Sequence, residues 1–206
     1  MSSKIQLILK RLIDVVLSLI GLVLLAVPFA IIAVVVKLDS RGPIFFRQKR
    51  VGLNGRAFKT WKFRTMVVGA VNQGLGYNVA KKDPRITRVG RFLRNWGLDE
   101  LPQLINVLRG EMSIVGPRPT LQYQVDQYDD FQRRRLLVKP GITGWALIHG
   151  RNLLSWEKRI KYDVSYVDHW SILLDLWIML KTLWVVLVTH EGLYEKNAGL
   201  NDRFNK

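Results

Sequence analysis

The most prominent pattern in the sequence is an apolar run from Leu12 to Val36, in which Asp14 is the only charged residue. The run has about 25 residues, which exceeds the roughly 20 residues that a helix needs to cross a bilayer core. A cleavable secretory signal would be shorter and would end in a cleavage site, so we expect the segment to be retained. Pro28 predicts a kink in it, because proline cannot donate the helical hydrogen bond.

The charges that flank this run bear on its topology. Lys4, Lys10 and Arg11 precede it and a larger basic excess follows it, whereas basic flanks tend to stay in the cytoplasm. A kinked spanning helix and a re-entrant helix that bends at Pro28 both fit the length, and the charges favour re-entry with both ends cytoplasmic. Asp14 lies three and four residues from Arg11 and Lys10, a spacing that predicts a helical ion pair.

Alternating apolar and polar residues then predict a small β-hairpin over residues 44–64, with Asn54-Gly55 at its turn. The period of two places Lys62 and Arg64 on one face of the second strand, where they could attract an anion or simply be solvated.

Three later segments have helical patterns. Residues 83–94 alternate apolar residues with four arginines, as in a basic amphipathic helix. Leucine and isoleucine at helical spacing predict a helix over 101–108 that ends near Gly110, with Asp99 as its N-cap. Residues 171–188 are apolar and rich in tryptophan but include two charges, which predicts an interfacial helix rather than a second span.

The overall composition narrows the partners and the chemistry. The 206 residues carry a formal charge of +16 with 49% hydrophobic residues, a combination that suits an anionic membrane surface, although charge alone would also suit nucleic acid. The absence of cysteine excludes disulfides, thiolate nucleophiles and cysteine-ligated zinc. The three histidines are too scattered to indicate a metal cluster.

Two adjacent carboxylates, Asp99 and Glu100, follow an arginine-rich segment and are the best candidates for chemistry. Nearby arginines would attract phosphates and keep a carboxylate ionised. The pair could equally cap the following helix, and the two roles are compatible. Arg118, flanked by two prolines, is suited to a bidentate phosphate contact, and residues 139–145 form another loop rich in glycine and proline.

These motifs together resemble the bacterial sugar transferase family, the monotopic polyprenyl-phosphate phosphoglycosyl transferases. The resemblance extends from the apolar segment to about Val188 and rests on five motifs in order: Lys62-Phe63-Arg64-Thr65-Met66, Asp83-Pro84-Arg85, Leu98-Asp99-Glu100-Leu101, Gly116-Pro117-Arg118-Pro119, and Pro140-Gly141-Ile142-Thr143-Gly144-Trp145. It implies transfer of a sugar phosphate from a UDP-sugar to undecaprenyl phosphate with release of UMP, as the first membrane step in the assembly of an exopolysaccharide, O-antigen or glycoprotein glycan.

The resemblance also implies roles for individual residues. Asp99 would be the nucleophile that carries the sugar phosphate and a ligand of Mg²⁺, and Glu100 would assist through the metal or through proton handling. Basic positions in the family motifs would hold phosphates, and two further polar positions would contact substrate. These positions are Lys62, Arg64, Arg94 and Arg118, with Arg151 and Asp163 as the further pair.

The fold expected from pattern and resemblance is α+β and mainly helical, in a monotopic protein of the bacterial inner membrane. We expect a re-entrant membrane helix in residues 1–40, a catalytic domain in 41–188 on the cytoplasmic face, and a polar tail in 189–206. Val27-Pro28 replaces the Ser-Pro of many relatives at the bend, and the chain looks like the short, catalytic-core form of the family.

Two other functions remain open at this stage. A basic nucleic-acid-binding protein would explain the charge but not the membrane segment or the ordered motifs, so we expect no nucleic acid partner. A noncatalytic membrane scaffold would use the carboxylates as caps and the cations for lipid headgroups. The sequence leaves open whether the protein forms a homo-oligomer.

Overall fold

The computed structural model describes residues 4–74, 76, 79–80, 83–150 and 153–189. Within this part of the chain, helices predominate and two two-stranded sheets complete the fold, which confirms the predicted α+β class. The helices are α1 (Lys4–Leu24), α2 (Ala26–Asp39), α3 (Arg88–Asn95), α4 (Leu104–Leu108), α5 (Gln122–Val125), α6 (Asp130–Arg133), α7 (Trp145–Ile148), α8 (Trp156–His169) and α9 (Ile172–Trp184). The strands are β1 (Phe45–Val51), β2 (Ala57–Phe63), β3 (Ser113–Val115) and β4 (Gly141–Thr143). Shorter helical turns are the 3₁₀ segments Leu53–Gly55, Ala70–Asn72, Leu98–Gln103 and Arg134–Leu137 and the π segment Val185–Thr189.

The N-terminal apolar segment forms α1 and α2, which meet at Leu25 with a bend of 61°. A kink was predicted at Pro28; the structure has the bend three residues earlier, at Leu25, and Pro28 lies in the first turn of α2. Proline lacks the N–H that would bond to the carbonyl of Leu24, four residues earlier, so the helix breaks before the proline. No single helix among the described residues is long and apolar enough to span a membrane, whereas this bent pair meets the criterion by length and composition.

Helix α1 turns its polar side toward the rest of the protein. Asp14 accepts hydrogen bonds from Ser113 Oγ (3.0 Å) and from the N–H of Ile114 (2.9 Å). The predicted ion pair of Asp14 with Lys10 and Arg11 is therefore wrong, because helical spacing cannot reveal a partner that is distant in sequence. The opposite side of α1 exposes a stripe of large apolar side chains: Ile5, Ile8, Leu12, Val16, Leu19, Ile20 and Val23.

Lys10 connects α1 to the last helix and to β3. Its ammonium donates to Asp175 Oδ2 (2.5 Å) on α9 and to the carbonyl of Val115 (3.1 Å) at the end of β3. Asp175 is buried and also accepts from the hydroxyl of Tyr166 (2.7 Å) and the indole N–H of Trp170 (3.0 Å). A buried carboxylate with three donors is well satisfied, so this network fixes α1 against the body of the protein.

The predicted hairpin is confirmed, with β1 and β2 antiparallel and Phe45 opposite Phe63. Asn54 and Gly55 have positive φ angles of 53° and 78°, the backbone conformation that an Asn-Gly turn favours.

Asn106 of α4 attaches this hairpin to the helical part of the protein. Its side-chain amide accepts from the N–H of Trp61 (2.9 Å) and donates to the carbonyl of Lys59 (2.8 Å), so it imitates a further strand beside β2. Asn106 is completely buried. Because Asn106 binds Trp61, the next residue of β2, Lys62, lies beside the 3₁₀ segment Leu98–Gln103 that precedes α4.

The second sheet, formed by β3 and β4, is parallel and was not predicted, because the sequence there indicated only loops rich in glycine and proline. Two glycines, Gly116 and Gly141, allow the two strands to approach each other closely. A Cβ atom on Gly141 would lie 2.1 Å from the nitrogen of Gly116, and one on Gly116 would lie 2.3 Å from the carbonyl of Lys139. The strands could not approach this closely with any larger residue, and the turn that carries Arg118 follows directly.

Buried apolar side chains in the described part of the chain form three clusters. One joins α2, the hairpin and α3, a second joins β1 to α8, and a third lies between β3, α8 and α9. Their members are Val36, Phe63 and Leu93; Val51, Val125, Tyr128, Ile160 and Val164; and Val115, Ile148, Tyr166 and Ile178.

Candidate active site

A cavity of about 650 Å³ lies between the hairpin, α3, the turn after β3, and α8. One part of its wall carries the charged side chains and another part is apolar. The charged lining residues include Lys62, Arg64, Arg94, Asp99, Glu100, Arg118, Arg159 and Asp163, and the apolar ones include Pro43, Phe46, Met66, Val67, Val68 and Val71. The structure therefore brings most of the predicted site residues to one cavity.

Asp99 and Glu100 lie in the 3₁₀ segment Leu98–Gln103, which begins after Gly97 in the left-handed conformation (φ 66°). The prediction that Asp99 is the N-cap of a helix over 101–108 is wrong, because Gly97 occupies the cap position and the α-helix starts only at Leu104. The predicted end near Gly110 is confirmed by the positive φ of that glycine (77°). The tight turn directs both carboxylates toward the cavity.

Glu100 is held by two cations. The guanidinium of Arg118 donates to both of its oxygens, at 2.6 and 3.0 Å, and the ammonium of Lys62 donates to Oε1 at 2.5 Å. Burial would raise the pKa of Glu100, but the attraction of Arg118 and Lys62 prevails and holds that pKa well below its ordinary value. Glu100 is therefore ionised, and it places the two cations side by side.

Asp99 is also buried, but it differs from Glu100 in its surroundings. No described residue donates a hydrogen bond to its carboxylate, and its side chain lines the cavity. Burial and the neighbouring charge of Glu100 raise the pKa of Asp99, against the attraction of Lys62 and Arg94. The two adjacent acids thus have pKa values shifted in opposite directions, a pattern that is typical of functional carboxylate pairs.

Two further predicted phosphate ligands have contacts of their own. Arg94 donates through Nε to Thr65 Oγ1 (2.7 Å) and lowers the pKa of Asp99 by its charge. Arg64 donates to the carbonyls of Val36 (3.0 Å) and Ser40 (2.6 Å), which terminate α2. Arg64 therefore caps a helix C-terminus, although it also lines the cavity.

Asp163 of α8 is almost completely buried and pairs with Arg135 at 2.5 Å. Arg135 also donates to the hydroxyl of Tyr128 (2.6 Å) and to the backbone carbonyl of Arg118 (2.9 Å). Nothing in the residue pattern singles out Arg135, because an arginine at a helix end is usually solvated. Arg151 lies outside the described residues.

Arg85 is another residue whose role the sequence did not reveal. It donates to the backbone carbonyls of Ala70 (2.7 Å), Gln73 (2.6 Å) and Gly76 (2.9 Å) and pairs with Asp83. Hydrogen bonds from Arg85 lower the pKa of Asp83 to about 2. Arg85 therefore anchors the loop that forms the apolar wall of the cavity.

One carboxylate in the cavity, that of Asp99, is suited to bind a divalent cation. The described residues contain no group of three or more acids and histidines placed to hold a metal ion. Magnesium, however, is commonly bound by one or two carboxylates together with the phosphates of a substrate. The oxygens of Asp99, which accept no hydrogen bond from any described residue, fit that mode, whereas those of Glu100 are engaged by Arg118 and Lys62.

Comparison with known proteins identifies the family. The family described as "Bacterial sugar transferase" matches residues 5–189. The chain is 46% identical over 197 residues to the "Uncharacterized sugar transferase EpsL" of Bacillus subtilis, covering 96% of both chains. It is 46% identical to proteins of Escherichia coli and Klebsiella pneumoniae, each named "UDP-glucose:undecaprenyl-phosphate glucose-1-phosphate transferase", with 82% and 84% of this chain matched.

The matched region covers only 38% of the length of each of those two longer relatives. The B. subtilis relative, by contrast, is matched over nearly its whole length. With the family match extending over most of the chain, this protein belongs to the bacterial sugar transferase family.

Proposed function

We propose that this protein transfers a sugar phosphate from a UDP-sugar to undecaprenyl phosphate or a similar polyprenyl phosphate, through a covalent intermediate on Asp99 and with release of UMP. The observation that carries the proposal is the difference in surroundings between the two acids. Asp99 lines the cavity with no hydrogen-bond donor among the described residues, while Glu100 is held by two cations. The names of the E. coli and K. pneumoniae relatives support the two substrate classes. We assign the reaction to the first membrane step of glycoconjugate assembly.

In the first step, a carboxylate oxygen of Asp99 attacks the β-phosphorus of the UDP-sugar. The new O–P bond forms as the bond from that phosphorus to the bridging oxygen breaks, and UMP leaves with the electron pair. The nucleophile must be ionised, and a carboxylate that accepts no hydrogen bond from its described neighbours is poorly stabilised and hence reactive. Lys62, Arg94 and Arg118 lie where they could stabilise the phosphate charge as it shifts.

In the second step, an oxygen of the polyprenyl phosphate attacks the phosphorus held on Asp99. The O–P bond to Asp99 breaks, the carboxylate is regenerated, and the polyprenyl diphosphate sugar leaves. No proton is gained or lost by Asp99 over the cycle. We assign Glu100 the task of orienting Lys62 and Arg118, because its oxygens bind both cations and its low pKa makes it a poor proton donor.

Magnesium is part of the proposal. Asp99 would hold it together with oxygens of the substrate diphosphate, because no residue in the described part of the chain donates a hydrogen bond to this carboxylate. Bound there, the cation would reduce the repulsion between the diphosphate and the attacking carboxylate. Arg118 and Lys62 supply fixed positive charge on the Glu100 side of the site.

The membrane arrangement follows from the exposed side of the N-terminal helices. We propose that the bent pair of α1 and α2 enters and leaves one leaflet, with the body of the protein on the cytoplasmic face of the bacterial inner membrane. The polar side of α1 binds β3 and α9, so its exposed apolar side is available to lipid. The apolar side chains that α9 exposes, such as Leu173, Leu180 and Leu183, are consistent with the predicted interfacial helix.

The covalent role of Asp99 predicts that Asp99→Asn lowers UMP release by at least about a thousandfold, because the amide is not a nucleophile. The variant should fold normally, since the side chain keeps its shape and loses no hydrogen bond to a described residue. The measurement is UMP release from UDP-sugars by purified protein with polyprenyl phosphate. Asp126→Asn, a surface substitution of the same kind, should be as active as wild type. UMP release by Asp99→Asn at a rate near that of wild type would refute the proposal.

The raised pKa of Asp99 predicts the acid side of the pH profile. Because the ionised form reacts, kcat/KM for UMP release should fall as the pH drops through that pKa, at a pH above the ordinary value of about 3.9 for an aspartate. Glu100→Gln removes a neighbouring negative charge, so the acid limb of its residual activity should move to lower pH. An acid limb that stays in place, or moves to higher pH, would contradict this assignment.

The metal assignment predicts that chelation stops turnover. Excess EDTA should abolish UMP release, and added Mg²⁺ should restore it in full. The thermal unfolding temperature should change little when EDTA is added without substrate, because the diphosphate supplies part of the coordination. Full activity in excess EDTA would exclude the metal.

Re-entry predicts that both ends of the apolar segment stay on the cytoplasmic side. Since the chain has no cysteine, Ser2→Cys and Ser40→Cys, made one at a time, report on the two ends. Neither variant should react with a membrane-impermeant thiol reagent on intact cells, and both should react in inverted vesicles. Labelling of Ser2→Cys from outside while Ser40→Cys stays protected would instead establish a spanning helix.

A further inference from the structure

Asp163 is an acid in the wall of a cavity to which several arginines and a lysine also contribute. The proposed donor substrate carries two negatively charged phosphates, and a carboxylate repels such groups. The family resemblance implies that Asp163 contacts substrate, and a carboxylate is chemically unsuited to contact the phosphates. A carboxylate oxygen in a binding cavity is suited to accept hydrogen bonds, and the donors that a nucleotide sugar offers are its hydroxyl groups.

The surroundings of Asp163 hold its side chain in place, and burial raises the pKa of its carboxyl against the attraction of Arg135. Its Oδ2 accepts from the guanidinium of Arg135 at 2.5 Å, and both side chains are at most 2% exposed. Among the described residues, Arg135 is the one group with a hydrogen bond to this carboxylate, on Oδ2, and Asp163 lines the cavity. Oδ1 is therefore available to accept a hydrogen bond from a ligand in the cavity.

Arg135 also ties Asp163 to the reactive end of the cavity. The same guanidinium nitrogen that binds Asp163 donates to the backbone carbonyl of Arg118 (2.9 Å). The side chain of Arg118 in turn binds Glu100, the neighbour of Asp99 in sequence. These contacts join Asp163 to Glu100, and Asp163, Arg118 and Asp99 all line one cavity. A substrate with its phosphates near Arg118 would therefore have its hydroxyl-bearing parts within the same cavity.

We propose that Asp163 is a specificity-determining residue that accepts hydrogen bonds from hydroxyl groups of the sugar nucleotide, and that Arg135 is its positioning residue. The proposal rests on the proposed function, because it needs a sugar nucleotide in this cavity. The hydroxyl groups belong either to the ribose or to the transferred sugar. The shared chemistry is a vicinal pair of hydroxyls that donate to one carboxylate oxygen.

The test compares Asp163→Asn with wild type in the full-length protein, and Asp168→Asn serves as the matched control. Asp168 is on the same helix and also pairs with an arginine, Arg134, but it is exposed and does not line the cavity. Loss of a hydrogen bond to a charged acceptor should lower kcat/KM for UDP-glucose about ten- to hundredfold in Asp163→Asn. Asp168→Asn should match wild type.

Titration with UMP distinguishes the two sources of hydroxyl groups, because UMP contains the ribose but no transferred sugar. If the ribose binds Asp163, UMP should bind Asp163→Asn about ten- to hundredfold more weakly than wild type. If the transferred sugar binds there, UMP affinity should be unchanged while kcat/KM for UDP-glucose falls. Either result supports the proposal.

Deoxy analogues separate direct contact from a merely structural role. With a donor that lacks the relevant ribose or hexose hydroxyl, wild type and Asp163→Asn should have the same kcat/KM. A loss in Asp163→Asn that is equal for every deoxy analogue would mean that the residue acts only through Arg135 and Arg118, and would overturn the proposal, as would unchanged kcat/KM with UDP-glucose.

Two further measurements keep the test decisive. If Asp163→Asn does not fold, Asp163→Glu keeps the charge beside Arg135 but displaces the oxygen, and it should show the same dependence on the analogue. If wild type releases no UMP from any UDP-sugar, the proposed function fails. A wild type that is active but does not discriminate against any deoxy analogue overturns only the role of Asp163.

Discussion

The structure of the site depends on how its charges are divided between two adjacent acids. Two buried carboxylates in sequence would repel each other, and both would lose hydration. Arg118 and Lys62 offset this cost for Glu100 alone, through three hydrogen bonds of 2.5 to 3.0 Å. Asp99 is left with a raised pKa and without a donor among the described residues. An acid with a lowered pKa and an acid with a raised pKa thus stand in consecutive positions.

Much of the fold serves to place the two cations that make this division. Lys62 is positioned by Asn106, which pairs with the backbone of β2 from the helix that follows the two acids. Arg118 follows β3, whose close contact with β4 requires glycine at two positions. Helix α1 takes part as well, because its Lys10 donates to the carbonyl at the end of β3. The packing of α1 against the protein and the position of Arg118 are therefore linked through the end of β3.

Local patterns in the sequence predicted local features well. The alternation over the hairpin and its Asn-Gly turn were confirmed, as was the mainly helical class. Features that depend on distant partners were predicted poorly. Asp14 was assigned to neighbours on its own helix, but it accepts hydrogen bonds from a hydroxyl 99 residues away and from a backbone N–H 100 residues away. The sheet of β3 and β4 was missed because its strands are three residues long, too short to show alternation.

In the candidate site, too, residues in local motifs could be predicted from the sequence, whereas residues that act through distant partners could not. The adjacent acids and the proline-flanked arginine stand out in the sequence because their residue types are unusual in that pattern. Arg135 and Asn106 do not, since an arginine at a helix end and an asparagine within a helix are common on protein surfaces. Their importance arises from burial and from backbone carbonyls of distant segments, which only the folded chain brings into reach.

The most direct test of the central claim is to trap the covalent intermediate. Wild type is incubated with UDP-glucose labelled in the sugar, without polyprenyl phosphate, and the protein is then digested and analysed by mass spectrometry. The account predicts release of about one UMP per protein and a labelled sugar phosphate on the peptide that contains Asp99, which disappears when polyprenyl phosphate is added. Turnover with polyprenyl phosphate, but with no UMP released and no label bound in its absence, would contradict it.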